Sequence, residues 1–328
     1  MTRPRLGFLG VGWIGRHRMQ AIVAADLAEI VAIADPSPEM AAEAQKLALD
    51  AKGVAGLDGL LEAKLDGIVI ATPSALHAEQ SIRALSRGAS VFCQKPLGRT
   101  AAEVQAVINA ARKADRLIGV DFSYRHTQGM QRIRDIVRAG ELGKIFAIDL
   151  VFHNAYGPDK QWFYDRAQSG GGCVMDLGVH LVDLALWVLD FPEVTNVTSK
   201  LFGGGELLGC PPDRVEDYAV ATLELASGAV VQLACSWRLQ AGRDAIISAT
   251  FYGTNGGATL HNIDGSFYDF IAERYRGTAR ETLATPPDAW GGRAAVYWVS
   301  RLAAGARFDT GAERLITVSR VLDRIYGR

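Results

Sequence analysis

The sequence contains little cysteine and no long uninterrupted apolar run. Four of its 328 residues are cysteines, and no two form a Cys-x-x-Cys pair; they are Cys93, Cys173, Cys210 and Cys235. This usage is typical of a cytoplasmic protein with reduced thiols. The most apolar stretch, residues 177–191, contains His180, Asp183 and Asp190, so it does not predict a membrane-spanning helix.

The sequence also lacks an excess of either charge. Its 35 lysines and arginines balance 36 acidic residues, and the formal net charge of −1 favours neither a nucleic-acid nor an anionic membrane partner. The first apolar run begins at Leu6, so we expect no signal peptide. At 328 residues, 49% of them apolar, the chain is long enough for two domains, each with its own core.

A glycine-rich turn connects two apolar runs within residues 6–35. Gly10, Gly12 and Gly15 give the pattern G-x-G-x-x-G between a predicted strand and a predicted helix. The first glycine allows a tight turn, the second lets the backbone approach a pyrophosphate, and the third lets the helix pack against the strand. N–H groups at a helix start also hold anions. The pattern therefore predicts a dinucleotide site, with an ordinary glycine-rich turn as the alternative.

Asp35 ends the second apolar run, about 20 residues after Gly15. An acidic side chain at this position accepts hydrogen bonds from the ribose hydroxyls of adenosine. Its charge would repel a 2′-phosphate, so the sequence favours NAD over NADP as the cofactor. We interpret Arg16, the nearest cation, as a solvated side chain because it lies at the start of the helix.

Strands and helices alternate along the rest of the first half. This alternation predicts a parallel, doubly wound sheet, in which ligands bind beyond the carboxyl ends of the strands. The positions that follow predicted strands are therefore candidates for ligand contact: Val11, Gly12, Asp35, Thr72, Pro73, Gln94, Lys95 and residues 122–125.

The pattern changes after residue 125. A long alternating strand near residues 145–152 is followed by an aromatic loop, three glycines and an apolar helix, and later strands come in pairs joined by turns such as Ser227-Gly228. An open apolar sheet face in water is unfavourable, so we expect a second copy of the chain to cover one face. We predict an α/β fold with two domains: a doubly wound parallel sheet over residues 1–122, and an α+β domain with a large open, mostly antiparallel sheet over residues 123–328.

Two groups of side chains have the chemistry of a proton-transfer site. Lys95 follows a predicted strand, where a desolvated lysine of lowered pKa assists proton transfer; the alternative is a surface lysine in a turn. Asp176 and His180 are four residues apart on the predicted apolar helix, so both face one way, and the carboxylate can orient the imidazole as a general base. One alternative is that His180 is an ordinary core histidine. Another is that Asp183, and not Asp176, is the partner of His180. No third ligand has suitable spacing, so no metal site is predicted.

Five motifs occur in order along the chain. They are residues 10–17 (GVGWIGRH), 72–77 (TPSALH), 94–98 (QKPLG), 170–183 (GGGCVMDLGVHLVD) and 253–260 (GTNGGATL). Over nearly its whole length the chain resembles the glucose–fructose oxidoreductase / inositol dehydrogenase / MocA (Gfo/Idh/MocA) family. The resemblance implies a Rossmann domain joined to an open-sheet α/β domain. It also implies hydride transfer between NAD(P) and the carbinol carbon of a sugar or polyol.

The resemblance assigns roles to individual residues. Lys95 corresponds to the lysine of the family's Glu-Lys-Pro motif, and Asp176 and His180 correspond to its helix dyad. The implied cofactor contacts are Gly10, Gly12, Trp13, Ile14, Gly15, Asp35, Thr72, Pro73, His77, Gln94, Lys95 and Trp162.

Two positions depart from the family pattern. Gln94 replaces the glutamate that usually meets the nicotinamide ribose, and Ser74 replaces an asparagine. An amide still forms hydrogen bonds with hydroxyls but brings no charge, so this replacement is expected to affect cofactor affinity above all. The peptide bond between Lys95 and Pro96 is expected to be cis, as is frequent in the family.

The predicted mechanism uses both groups of side chains. His180, oriented by Asp176, takes the proton of a substrate hydroxyl, while Lys95 hydrogen-bonds the same oxygen and hydride passes to NAD. Three aromatic residues of the loop are candidates for flat contacts with a sugar ring and for shielding the nicotinamide: Tyr156, Trp162 and Tyr164. Weaker candidates for substrate contact, each equally compatible with ordinary packing, are Tyr124, Arg125, His153, Trp237 and Arg238.

Three other functions stay open from the sequence. They are an NAD-dependent glycosidase that oxidises its sugar transiently, a non-catalytic sugar or NAD sensor, and a reductase of a carbonyl compound. The set Lys95, Asp176 and His180 argues against the sensor, which needs no acid–base groups. We expect a small-molecule substrate of the sugar, polyol or sugar-acid class, a cytoplasmic location, and a homo-oligomer formed through the C-terminal sheet.

Overall fold

A computed structural model describes residues 3–328, and the chain divides into two compact units. The first unit comprises the residues up to Ser123 and the segment Gly291–Ile316. The second comprises Tyr124–Trp290 and Thr317–Arg328. The sequence pattern groups residues 123–328 in one domain. The structure differs, because the segment Gly291–Ile316 belongs to the first unit.

The packing of Trp298 explains why the segment Gly291–Ile316 belongs to the first unit. The centroid of its ring lies 5.8 Å from that of Phe92. A Cβ atom at Gly67 would lie 2.6 Å from the indole, and one at Gly119 would lie 2.8 Å from it. The two glycines therefore leave the space that the indole fills on the sheet. This contact joins distant parts of the chain, so no local sequence pattern predicts it.

The first unit contains a six-stranded parallel sheet. Its strands are β1 (Arg5–Leu9), β2 (Glu29–Ala34), β3 (Lys52–Gly53), β4 (Gly67–Ile70), β5 (Ser90–Cys93) and β6 (Ile118–Val120). They lie in the order β3-β2-β1-β4-β5-β6, and all neighbours are parallel. Every residue of β4 and β5 is buried, as expected for a sheet covered on both faces. The predicted doubly wound sheet is confirmed, with the chain reversing direction across the sheet between β1 and β4.

The connections between these strands are helical. The helices are α1 (Trp13–Ala25), α2 (Pro38–Gln45), α3 (Gly56–Glu62), α4 (Ser74–Ser86) and α5 (Ala101–Ala114). Ser37 and Thr100 begin two of them, because each hydroxyl oxygen accepts a hydrogen bond from a first-turn N–H group.

The second unit contains a nine-stranded sheet. Its strands are β7 (Ile145–Asn154), β8 (Val194–Gly203), β9 (Glu206–Leu207), β10 (Tyr218–Leu225), β11 (Val230–Ser236), β12 (Ala245–Gly253), β13 (Gly256–Asn262), β14 (Phe270–Arg276) and β15 (Ala279–Ala284). Their order is β15-β14-β13-β12-β7-β11-β10-β8-β9. Among the described residues of this sheet, only β7 and β11 pair in parallel, so the predicted mostly antiparallel sheet is confirmed.

The remaining helices follow the first sheet in the chain. They are α6 (Gln128–Arg138), α7 (Arg166–Ser169), α8 (Val179–Val188), α9 (Arg293–Ala303) and α10 (Arg314–Ile325). A π-helical turn, Val174–Gly178, leads directly into α8. Among the described residues, one helical stretch, Arg166–Val188, is long and apolar enough to cross a bilayer, but 94% of its apolar window is buried inside the protein. This burial is typical of a core helix.

Candidate active site

The glycine turn forms an open cradle at the start of α1. Gly10 has φ +84°, and a Cβ atom there would lie 2.5 Å from the carbonyl oxygen of Ala71. A Cβ atom at Gly15 would lie 2.2 Å from the carbonyl oxygen of Gly10, so both positions require glycine. Gly12 differs, because a Cβ atom there would meet no atom of the described residues within 4 Å. The backbone at Gly12 is therefore open to a ligand.

The start of α1 is suited to an anion. No side chain among the described residues caps this helix, and its first turn has no acidic residue. The unfilled N-terminal end carries partial positive charge, so a pyrophosphate fits the space beside Gly12. Trp13 is 60% exposed and stacks on His17 with ring centroids 5.8 Å apart. Ile14 is half-buried beside it.

Asp35 is anchored beside this cradle. One carboxylate oxygen accepts from the N–H of Val11 at 2.7 Å, and the other accepts from the N–H of Ser37 at 2.9 Å. Each oxygen of an ionised carboxylate has two lone pairs, so the half-buried group keeps acceptor capacity for ribose hydroxyls. The backbone contacts fix the carboxylate at the end of β2, where the sequence predicts it.

His77 joins the segments that follow β4 and β5. Its ring nitrogens lie 2.7 Å from the carbonyl oxygen of Pro96 and 2.7 Å from that of Thr72. The side chain is buried, and burial lowers the pKa of His77. Thr72 also donates its hydroxyl to the side chain of Gln80 at 2.6 Å. His77 thus holds Thr72 and Pro73 in place, and its direct contact with a cofactor stays a prediction.

Gln94 and Lys95 lie immediately beyond β5. The side-chain amide of Gln94 is buried and donates to a carboxylate oxygen of Asp121 at 2.6 Å. Lys95 is half-buried, and its peptide bond to Pro96 is cis, which confirms that expectation. The lysine therefore lies at the carboxyl end of a central parallel strand, where ligands of such sheets bind.

In the second unit, Asp176 lies in the π-helical turn and His180 in α8. The predicted apolar helix therefore begins as a π-turn and continues as an α-helix, and the shared face of Asp176 and His180 stays a prediction. The start of the turn is held from outside: the buried carboxylate of Glu216 accepts from the N–H groups of Gly172 and Val174 at 2.9 Å. Burial raises the pKa of Glu216, and these donors oppose the shift.

Aromatic side chains fix the two predicted catalytic residues of this unit. The indole N–H of Trp237 donates to a carboxylate oxygen of Asp176 at 3.0 Å. The ring of Tyr124 meets the buried imidazole of His180 edge to face, with centroids 4.9 Å apart. Trp237 and Tyr124 are themselves buried, so their positions favour support of Asp176 and His180 over direct substrate contact.

Asp183 is paired with Arg125. The guanidinium donates from Nε to one carboxylate oxygen at 2.7 Å and from a terminal nitrogen to the other, and it also lies over the ring of Phe191. Burial raises the pKa of Asp183, and Arg125 opposes this shift. Both carboxylate oxygens of Asp183 thus accept hydrogen bonds from Arg125. This pairing favours a structural role for Arg125 over contact with a substrate.

Replacing Arg125 with methionine is expected to lower the free energy of unfolding by about 3–5 kcal/mol, because it leaves the Asp183 carboxylate buried without its cation. The double variant Arg125→Met/Asp183→Asn should recover most of this loss. Urea unfolding followed by circular dichroism measures both. Arg138→Met, which breaks the exposed pair with Asp190, is the matched control and should cost about 1 kcal/mol or less. Equal losses for the two arginine variants would contradict the burial argument.

The aromatic loop is built around Trp162 and its neighbours. Trp162 stacks on Phe163 with ring centroids 3.8 Å apart, and Phe163 meets Trp237 edge to face. Tyr156 is exposed and donates its hydroxyl to Asp244. The candidate His153 is half-buried on β7; its Nδ1 lies 2.8 Å from the hydroxyl oxygen of Ser236, and its ring stacks on Tyr218. The exposed Arg238 lies with its guanidinium over the ring of Tyr164.

Sequence reasoning does not find Glu216 or Asp121, and it names Trp237 only as a candidate for substrate contact. Glu216 and the indole donor role of Trp237 depend on contacts between distant segments, for which the sequence carries no local signal. Asp121 is different, because it directly follows β6. The rule that ligands bind just after each strand could have found it, but the predicted range, residues 122–125, begins one position too late.

The fold and the site together define a class. A parallel sheet of Rossmann order, a glycine cradle at an uncapped helix start and an acidic residue ending β2 are the parts of a dinucleotide-dependent oxidoreductase. Residues 5–122 match the family model for the oxidoreductase family with an NAD-binding Rossmann fold, and residues 130–259 match the GFO/IDH/MocA C-terminal domain. The chain belongs to the Gfo/Idh/MocA family of oxidoreductases, which confirms the resemblance in its motifs.

Individual relatives agree with this assignment. The chain is 30% identical over 302 residues to the rhizopine catabolism protein MocA of Rhizobium meliloti, a match that covers 87% of this chain and 91% of that protein. It is 30% identical over 211 residues to a D-glucoside 3-dehydrogenase of Escherichia coli (strain K12), covering 61% and 60% of the two chains. A levoglucosan dehydrogenase solved with NADH shares the fold, with a TM-score of 0.83 at 21% identity over 99% of this chain and 96% of that chain.

Proposed function

We propose that this chain is an NAD-dependent dehydrogenase that acts on a carbinol carbon of a sugar, polyol or sugar acid. The observation that carries the proposal is the open cradle at Gly12 beside an anchored Asp35, in a chain that also has Lys95, Asp176 and His180 at the family's motif positions. The names of two relatives, a D-glucoside 3-dehydrogenase and a levoglucosan dehydrogenase, support a sugar-type substrate.

The proposed chemistry assigns one task to each residue. When bound, the nicotinamide ring of NAD supplies the hydride acceptor. The imidazole of His180 takes the proton of the substrate hydroxyl, and Asp176, held by the N–H of Trp237, favours the imidazolium that forms. The Nζ of Lys95 donates a hydrogen bond to the same substrate oxygen and stabilises the negative charge that develops there. Trp162 and Tyr156 are proposed to contact the sugar ring and shield the nicotinamide.

A substrate screen tests this proposal. The purified chain is incubated with NAD and, separately, with sugars, inositols, aldonates and nucleotide sugars, and NADH formation is followed by absorbance. We expect NADH with at least one of these classes. Release of a free sugar from a glycoside without net NADH would indicate the glycosidase alternative. No reduction of NAD by any class, together with no oxidation of NADH by the matching carbonyl compounds, would contradict the proposal.

The preference for NAD is the second part of the proposal. The anchored carboxylate of Asp35 accepts from a 2′-hydroxyl and repels a 2′-phosphate, so NADH should bind at least about tenfold more tightly than NADPH. Asp35→Ser should reduce this ratio, because it removes the charge and leaves a hydroxyl. Fluorescence titration gives both values of Kd. Comparable affinities for the two cofactors in the unmodified chain would contradict the assignment; Arg16, whose guanidinium extends to Met40, would then be the first candidate for phosphate contact.

We further propose a homo-oligomer formed through the nine-stranded sheet and a cytoplasmic location. The exposed Phe146 and Tyr252, on neighbouring strands β7 and β12, support the first, because large apolar side chains on a sheet favour contact with a second copy. The four free cysteines support the second: the sulfurs of Cys173 and Cys235 lie 3.8 Å apart without a disulfide.

A further inference from the structure

Three buried polar side chains meet beyond the ends of β5 and β6. Asp121 follows β6 and is 1% exposed, Gln94 follows β5 and is 7% exposed, and Arg18 lies in α1 and is 4% exposed. One carboxylate oxygen, Oδ2 of Asp121, accepts from Nε of Arg18 at 2.5 Å and from the amide nitrogen of Gln94 at 2.6 Å. Asp121 is therefore the centre of a network that connects the helix of the glycine turn with two strand ends.

The second carboxylate oxygen of Asp121 has a different environment. Oδ1 is buried and accepts no hydrogen bond from any residue that the structure describes. A buried carboxylate oxygen without a donor is costly, and nearly all buried polar atoms in proteins have a partner. The donor for Oδ1 is therefore expected to come from outside the chain, as a bound water or a bound ligand.

The position of Asp121 favours a ligand. Ligands of doubly wound sheets bind beyond the carboxyl ends of the parallel strands, and β5 and β6 both end here. The same edge carries Lys95, directly after Gln94, while the glycine cradle at the start of α1 accounts for the pyrophosphate. The part of a dinucleotide that remains to be bound is its nicotinamide half, whose ribose hydroxyls and carboxamide are hydrogen-bond donors.

The amide at position 94 is explained by the same network. A glutamate there would bring a second carboxylate to the place from which Gln94 now donates, at 2.6 Å from Oδ2 of Asp121. Two carboxylates at that distance repel each other, and one of them would have to take up a proton. Arg18 balances the single charge of Asp121, so a second carboxylate would have no cation of its own in this network. In this chain the negative charge follows β6 instead of β5.

We propose that Asp121 binds the nicotinamide half of the cofactor through Oδ1, taking the place of the family's glutamate at position 94, and that Arg18 and Gln94 position it. This inference rests on the proposed NAD-dependent function. The ligand is a nicotinamide riboside group with donor hydroxyls or a donor carboxamide. Asp121 accepts one hydrogen bond from it, and no bond is formed or broken.

Binding measurements with two ligands test the assignment. NADH contains the nicotinamide half, and ADP contains only the adenosine diphosphate that the glycine cradle and Asp35 would bind. By isothermal titration calorimetry, Asp121→Asn should raise the Kd for NADH by about tenfold or more, since it removes a charge-assisted hydrogen bond, and change the Kd for ADP by less than about twofold. Asp26→Asn, an identical change at an exposed aspartate of the same unit, should change neither value.

The possible results separate three explanations. A parallel loss of NADH and ADP binding would assign Asp121 to support of the fold and overturn the proposal. If Asp121→Asn changes neither the Kd for NADH nor the Kd for ADP, the partner of Oδ1 is a water, and this result would also overturn the proposal. If the unmodified chain binds NADH no more tightly than it binds ADP, the proposed function fails together with this inference.

The relocation of the charge is tested by exchanging the two residues. Gln94→Glu alone should weaken NADH binding, because two carboxylates then face each other. The double variant Gln94→Glu/Asp121→Asn returns the charge to β5 and lets the new asparagine donate to it, so the Kd for NADH should return to within about threefold of the original value. Thermal unfolding of each variant accompanies the titrations. A folded double variant that binds NADH no better than the weaker single variant would contradict the relocation.

Discussion

Replacing His180 with asparagine is expected to lower kcat by about 10²- to 10⁴-fold, the usual contribution of a positioned general base. Asparagine keeps a polar side chain of similar reach but cannot take a proton near neutral pH. The buried ring lies edge to face against Tyr124, so the change removes proton transfer with a limited loss of volume. Steady-state kinetics with the substrate found in the screen gives kcat and KM, and fluorescence titration gives the Kd for NADH.

Two comparisons make the His180 result specific. The Kd for NADH should stay within about threefold of the original value, because His180 is proposed to act on the substrate hydroxyl. His261→Asn, at a histidine on β13 of the same sheet-bearing unit, should retain kcat within about twofold. A kcat for His180→Asn above about one tenth of the original would remove the residue from the mechanism.

Lys95→Met is the second change with a large expected effect. Methionine preserves much of the length and apolar contact of the lysine stem, but removes the charged donor at the end of β5. Loss of a preorganised donor to a developing oxyanion lowers kcat by about 10²- to 10³-fold. Because the oxyanion exists only during reaction, KM should change far less than kcat.

The control for this variant is Lys113→Met, at an exposed lysine in α5 of the same unit, which should leave kcat and the Kd for NADH unchanged. Lys95→Met should also keep its Kd for NADH within about threefold. If KM rises by the full factor and kcat stays constant, Lys95 binds the substrate without acting on the reacting oxygen, and its proposed role is wrong.

The glycine turn is the part of the structure that the sequence predicts best. Its requirements are local: Gly10 needs a left-handed backbone conformation, and Gly15 needs contact with the carbonyl of Gly10 five residues earlier. The alternating strands and helices that follow are equally local, because burial on both faces leaves a continuous apolar run such as residues 67–71.

The geometry around Asp176 is not predictable in this way. The π-turn depends on Glu216, which lies 40 residues beyond Asp176 in the sequence, and on Tyr326, whose hydroxyl donates to Glu216 at 2.8 Å. A Cβ atom at Gly171 would lie 2.1 Å from that hydroxyl oxygen. The glycines are visible in the sequence, but the groups that require them belong to distant segments. The apolar pattern therefore predicts the helix correctly, but it does not predict that the first turn is π-helical.

The most direct test of the proposed function follows the hydrogen itself. The substrate found in the screen is prepared with deuterium on its carbinol carbon and incubated with NAD, and the reduced cofactor is analysed by mass spectrometry. We expect one deuterium in the NADH formed by the unmodified chain and almost no labelled NADH from His180→Asn in the same time. Unlabelled NADH, or labelled NADH formed at full rate by His180→Asn, would contradict it.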